Sequence, residues 1–365
     1  MRERRLGETG PEVGAIGLGC MGMSDFYGPA DRGESIATIH AALDSGATLI
    51  DTGDFYGSGH NEMLIAEALR GRPREAYVLS VKFGALRDPA GQFIGYDARP
   101  AAVRNFLAYT LKRLGVDHID IYRPARLDPE VPIEETVGAI ADLIKAGHVR
   151  AIGLSEVSTA TIRRAAAVHP IADLQIEYSL IMRMIELDIL PACRELGIGI
   201  TAYGVLARGL ISGHWSRERA NAKDFRGFSS RFAGENLDHN LALVEALRKV
   251  ADSRNVSVAA IAGRVGSRPG QGHRAAYRRP QARAMVGIER RRPPGAQSRR
   301  FRRNRRGRPE RRGQRRPLSR PSDGASRQRE AGVTACALTA RTCWHEARLP
   351  SSPKRRLTSG LRAEG

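Results

Sequence analysis

Three side chains in the first quarter of the chain have the types and spacing needed to give a proton to a carbonyl oxygen. Asp51 and Tyr56 lie in the run T-L-I-D-T-G-D-F-Y-G-S-G-H-N-E, and Lys82 follows one helical stretch later in Y-V-L-S-V-K-F-G. The apolar segments 48–50 and 78–81 read as short buried strands. Asp51 and Lys82 therefore each leave the carboxyl end of a strand, the end that carries the chemistry in α/β barrels and open α/β sheets. An aspartate and a lysine placed there can pair, and a lysine cation makes a neighbouring phenol a usable proton donor near neutral pH. Tyr56 is the candidate phenol. Asp54 reads as a loop or capping residue and His60 as a solvated loop histidine, so neither joins the set.

Strand-like segments at 16–19, 48–51, 78–82, 118–122, 151–155, 173–177 and 198–202 alternate with helix-like segments at 35–45, 61–69, 101–114, 133–146, 159–168 and 187–196. That alternation is the signature of βα units and a parallel sheet. A long loop over 205–236 leads to helices at 241–253 and 258–262, and no eighth strand is legible after them. The expected architecture is a (β/α)8 TIM-type barrel over 1–263 whose eighth βα unit is missing or replaced. Such a barrel would leave two strand edges facing each other across a gap.

The charge changes character at the same place. The 365 residues carry 59 Lys+Arg against 39 Asp+Glu, a net charge of +20. Residues 264–365 hold 29 of the basic and 6 of the acidic groups, and every basic group there but Lys354 is arginine. The barrel region is therefore slightly acidic and the tail strongly basic. Too little apolar surface is present in 264–365 to offset ordering entropy, so it reads as a disordered tail. A genuine tail of this kind would hold nucleic acid non-specifically through phosphates. The alternative is a frameshift between about 262 and 269: back-translating 269–283 with G/C-rich codons and shifting by one base gives R-G-K-D-I-V-P-L-I-G-A-R-R-R-E, an apolar strand ending in glycine and then an arginine cluster. Cys20, Cys193, Cys336 and Cys343 form no C-x-x-C pair and no zinc-ligand spacing. With no apolar segment of signal or membrane-spanning length, the expectation is a cytoplasmic protein without a membrane partner.

Asp51 with Tyr56, Lys82 at the next strand end, G-L-G-C-M-G-M at 17–23, G-H-V-R-A-I-G-L-S-E at 147–156 and Q-I-E-Y-S at 175–179 together resemble the aldo/keto reductases, in order from about 4 to about 262. The resemblance implies a barrel that uses a nicotinamide coenzyme, NADP(H) with NAD(H) left open, to reduce a small aldehyde or ketone without a metal. It implies Tyr56 as general acid, tuned by Lys82 and Asp51. Ser155 and Gln175 would meet the nicotinamide carboxamide, Tyr203 would stack on its ring, and Met21 would lie near the coenzyme. The run 203–213, Y-G-V-L-A-R-G-L-I-S-G, resembles the loop that closes over the pyrophosphate, with Gly204, Leu206 and Arg208 as contacts and Gly204-Val205 in place of the common Ser-Pro. The family's Y-Q-x-H-R segment corresponds to Tyr122-Arg123-Pro124-Ala125-Arg126, with alanine at the histidine position. Arg123 or Arg126 would then stand in for the missing donor, or serve as barrel-end ion-pair formers. As written, the chain lacks the segment expected to grip the 2′-phosphate. A non-catalytic barrel with a nucleic-acid-binding tail is the competing reading.

Overall fold

The computed structural model describes residues 1–213, 229–265 and, as backbone, 273–277. Two short strands, β1 (Glu3–Arg5) and β2 (Glu12–Gly14), come first. Parallel strands and helices then alternate: β3 (Ile16–Gly19), α1 (Arg32–Asp44), β4 (Leu49–Gly53), α2 (His60–Ala68), β5 (Val78–Phe83), a hairpin of β6 (Ala85–Arg87) and β7 (Phe93–Tyr96), α3 (Pro100–Leu114), β8 (Ile119–Pro124), α4 (Ile133–Lys145), β9 (Val149–Ser155), α5 (Thr159–Val168), β10 (Ile171–Glu177), α6 (Ile189–Glu195) and β11 (Gly199–Tyr203). The chain continues through α7 (Gly234–Asp252) and α8 (Val258–Val265) to β12 (His273–Tyr277). The helix boundaries follow local chemistry. Asp31 caps α1 by accepting from the Glu34 backbone N–H at 2.7 Å, and Ser158 caps α5 in the same way, each satisfying one of the free donors of a first turn. Gly115 ends α3 in the left-handed conformation.

The strands close into an eight-stranded parallel barrel in the order β3-β4-β5-β8-β9-β10-β11-β12. The last of them, β12, corrects the expectation of an open gap. Its backbone pairs with β11, Ile200 opposite His273, and with β3, Ala275 opposite Ile16. The physical reason is that a seven-stranded barrel presents two unsatisfied edges, and pairing them needs only backbone N–H and C=O groups, which every residue but proline carries. The reading of the remaining tail as disordered or frameshifted falls on residues outside those described.

Two small hairpins were not legible in the sequence. One, β1 with β2, plugs the amino-terminal end of the barrel. Leu6 and Val13 of this hairpin are buried against Leu49, Ile121, Ala151 and Ala172. Gly7 makes this closeness possible: it has φ of 65°, and a Cβ there would stand 2.4 Å from the Ala172 carbonyl oxygen. The other, β6 with β7, rises beyond the carboxyl end of β5. One end of the barrel is thus sealed, and the chemistry has the other. Past β11, α7 and α8 pack Val244 and Val258, with Phe232, against Leu206, Leu210 and Ile211, which anchors the loop after β11. No helix among the described residues is long and apolar enough to cross a membrane.

Candidate active site

Asp51 and Lys82 face each other from adjacent strands, with Asp51 in register with Ser80 and Gly53 with Lys82. Lys82 Nζ donates to Asp51 Oδ1 at 2.6 Å, Ser80 Oγ donates to Asp51 Oδ2 at 3.0 Å, and Gln175 Nε2 donates to the same oxygen at 2.7 Å. Burial alone would push the Asp51 carboxyl up. The charges of Lys82 and Arg123, with hydrogen bonds from Lys82 and Gln175, overcome that and hold it below the ordinary carboxylate range. Tyr56 opens a short 3-10 turn just past β4 and is 2% exposed. The Lys82 ammonium lies 5.3 Å from the centre of its ring, and Phe55 packs edge-on against it at 4.7 Å. The three residues that sequence spacing singled out are therefore one cluster.

Around them, the structure sorts the other expectations. Ser155 ends β9 and is buried, with Arg126 Nη1 at 3.4 Å from its Oγ. Gln175 is buried on β10, and its amide nitrogen donates to Asp51 Oδ2 at 2.7 Å. Tyr203 ends β11; burial first, then Glu156, drives its phenol far above the ordinary range, so it stays neutral and serves as a flat surface. Met21 sits in the 3-10 turn after β3. Gly204 has φ of 65°, and a Cβ there would come 3.2 Å from Glu177 Cγ, so glycine brings the loop after β11 close to the end of β10. Leu206 is buried in the cluster that anchors this loop. Arg208 Nη2 lies 3.5 Å from Glu177 Oε2, and Arg231, which sequence reasoning missed, places its Nη2 2.7 Å from Glu177 Oε1.

Several readings need correction. Arg123 cannot stand in for the missing histidine donor: it is 0% exposed, inside the barrel. Arg126 is half-buried, and its Nη1 donates to the Ala125 carbonyl at 2.7 Å, which leaves it the better placed of the two. Ala125 itself is buried, with its backbone N–H on the Phe83 carbonyl at 2.8 Å. Asp54 lies in the loop after β4, as read, with its backbone N–H on the Lys82 carbonyl at 2.9 Å. It is buried, and burial followed by the Glu62 charge pushes its carboxyl up to about 8. His60 is exposed at the head of α2, its Nδ1 2.9 Å from Ser24 Oγ.

A buried phenol beside a lysine–carboxylate pair is a proton-delivery device. Near it, a flat aromatic surface, a buried hydroxyl and two guanidinium groups drawn to one carboxylate offer what a ring-bearing, anionic dinucleotide requires. Arg231 Nη1 is buried with no hydrogen-bond partner among the described residues, a donor that suits an anion.

The Aldo/keto reductase family pattern matches residues 15–264. A probable aldo-keto reductase 1 of Glycine max is 41% identical over 259 residues, covering 71% of this chain and 75% of that protein. The structure of the glycerol dehydrogenase AKR11B4 of Gluconobacter oxydans superposes with a TM-score of 0.71 at 31% identity, over 78% of this chain and 88% of that one. A thermostable aldo-keto reductase, Tm1743, solved with the inhibitor epalrestat, does so with 0.62 at 26%, over 79% and 93%. The chain belongs to the aldo/keto reductase family.

Proposed function

We propose that this chain is an NADP(H)-dependent reductase that converts a small aldehyde or ketone to the alcohol in the cytoplasm. The observation that carries the reading is the buried Asp51–Lys82–Tyr56 cluster at the open end of the barrel. Bound nicotinamide coenzyme supplies the hydride. Tyr56 gives its phenolic proton to the carbonyl oxygen, so that one hydride and one proton complete the alcohol. Lys82 sets a positive charge over the Tyr56 ring, and Asp51 keeps that charge in place. Ser155 and Tyr203 would hold and face the nicotinamide, while Arg208 and Arg231 would draw the diphosphate, exchanging Glu177 for the phosphate oxygens. Because Ala125 offers no side-chain donor, substrate orientation falls to Tyr56, the Arg126 guanidinium and the shape of the mouth. The test is NADPH oxidation by the purified chain across a panel of aldehydes and ketones, with glycerol and NADP⁺ for the reverse direction because a structurally similar chain is a glycerol dehydrogenase. Coenzyme binding without turnover of any member would refute the reductase reading.

A further inference from the structure

Beneath the Asp51–Lys82 pair lies a second pair that no carbonyl can touch. Arg123 on β8 is the largest fully buried side chain among the described residues, and Asp173 on β10 is 0% exposed. Arg123 Nη2 lies 3.2 Å from Asp173 Oδ1, and the same nitrogen donates to Ser80 Oγ at 2.8 Å. Ser80 passes the connection on to Asp51 Oδ2 at 3.0 Å. At the other end, the Thr201 hydroxyl of β11 donates to Asp173 Oδ2. The result is one continuous polar chain through the barrel: Lys82, Asp51, Ser80, Arg123, Asp173, Thr201.

Barrel interiors are ordinarily layered with branched aliphatic side chains, and buried charges are costly even when paired. This interior is shaped to hold them. Gly153 on β9 stands in register with Asp173, and a Cβ at that position would meet Asp173 Oδ1 at 2.6 Å and Arg123 Nε at 3.0 Å. The pair also has a direction. Its cationic end is joined to Asp51 through Ser80, and its anionic end points away toward Thr201.

We propose that Arg123 is a positioning residue, a buried cation held in place by Asp173, whose guanidinium reaches Asp51 through Ser80 and keeps in place the carboxylate that anchors Lys82 beneath Tyr56. The proposal rests on the reductase reading for its purpose, but not for its test. The groups facing Asp51 are Lys82 and the Ser80 hydroxyl from β5, Arg123 from β8, and the neutral Gln175 with, farther off, the Asp173 carboxyl from β10. Those facing Asp173 are Arg123, Thr201 and Asp51, with the Cys193 thiol of α6 beyond, itself pushed up to about 12 by burial and then by Asp173. Both carboxyls suffer burial, yet they end on opposite sides of the ordinary range: Asp51 is held low, while Asp173 is raised by burial against the pull of Arg123 and Thr201, with Asp51 adding to the rise. The Arg123 cation favours both carboxylates, and the one that carries the lysine is also held by Lys82 and Gln175.

The experiment compares the full chain with Arg123→Gln/Asp173→Asn, a neutral hydrogen-bonding replacement, and with the isosteric Asp173→Asn. Asp51 is titrated by carboxyl ¹³C NMR without coenzyme, and single-turnover hydride transfer is followed against pH. In the double variant Asp51 should titrate higher than in wild type, by less than loss of the Arg123 cation alone would give because the Asp173 anion is lost with it, and the acid limb of the rate should move with it, while NADPH affinity is kept. A merely structural role would restore the wild-type profile along with the fold, and an unmoved Asp51 overturns the proposal. Asp173→Asn alone frees the Arg123 charge, so Asp51 should titrate lower. A rise or no change there overturns the proposal as well, and this variant decides the matter should the double fail to fold. If the wild type transfers hydride to no carbonyl, the reductase reading falls, and the Asp51 titration still judges the pair.

Discussion

Replacing Lys82 with methionine removes the ammonium 2.6 Å from Asp51 Oδ1 and leaves a carboxylate that is 2% exposed. Breaking one side of a buried pair costs about 3 to 5 kcal/mol, which is about 10 °C of melting temperature in a domain of this size. The cost depends on pH with a definite sign. In the wild type Asp51 is held below its unfolded value by Lys82, Arg123 and Gln175 against burial, so it contributes stability that is present above about pH 4 and lost as pH falls through the folded pKa. Without Lys82, burial gains ground and the folded pKa rises. The folded variant then binds the proton more readily than the wild type does, and its deficit shrinks in acid. Thermal melts from about pH 4 to pH 7 should therefore show the gap between wild type and Lys82→Met widening as pH rises. Asp51→Asn/Lys82→Met removes both charges and should recover much of the loss in stability while remaining inactive, because an empty pair is cheaper than a broken one. A gap that stays constant with pH, or a double variant as unstable as the single, would show that the pair's charge is not what the fold depends on.

Tyr56→Phe should keep NADPH binding and lose carbonyl reduction by about 10²- to 10⁴-fold; turnover near wild type would remove Tyr56 from the mechanism. Ala125→His should change the rank order of kcat/KM across aldehydes and ketones more than the pH optimum, since it adds a donor and not the main acid; an unchanged order would show that this position does not face substrate. Gly153→Ala puts a methyl 2.6 Å from Asp173 Oδ1 and should destabilise by about 1 to 3 kcal/mol as an overpacked core does, checked by urea melts. Restoring one base near codon 268 should raise the melting temperature and tighten NADPH binding in fluorescence titration relative to the chain as written. Equal melts and equal affinity in the two forms would make the arginine-rich tail a genuine extension.

The Asp51–Lys82–Tyr56 cluster was legible because strand ends are. Apolar runs that stop at Asp51 and Lys82 say where the chain leaves the barrel, and a tyrosine in the next turn falls beside them. Ser80 was legible in principle too, because alternate residues of a strand share a face and Ser80 precedes Lys82 by two. Arg123 was misplaced for an equally physical reason. An arginine near a strand end is expected to extend its head to water, and what draws it inward is Asp173, a partner distant in sequence that no local pattern announces. Arg231 had still less signal, being distant in sequence from its partner Glu177. The hairpin strands β1 and β2 are three residues each, shorter than the four to eight or so over which alternation can be read.

The eighth strand shows the limit most sharply. His-Arg-Ala-Ala-Tyr carries no apolar run, so nothing in its composition marks 273–277 as a strand. What places it is the demand of the rest of the barrel: two facing edges, β11 and β3, with backbone groups to satisfy. The back-translated codons of 269–283, read one base along, give R-G-K-D-I-V-P-L-I-G-A-R-R-R-E, and the five residues of β12 fall on I-V-P-L-I. The barrel's demand and the shifted codons both place a strand at 273–277, the first from hydrogen-bonding edges and the second from third bases chosen freely, and resequencing across codons 260 to 275 decides between a shifted frame and a genuine basic extension.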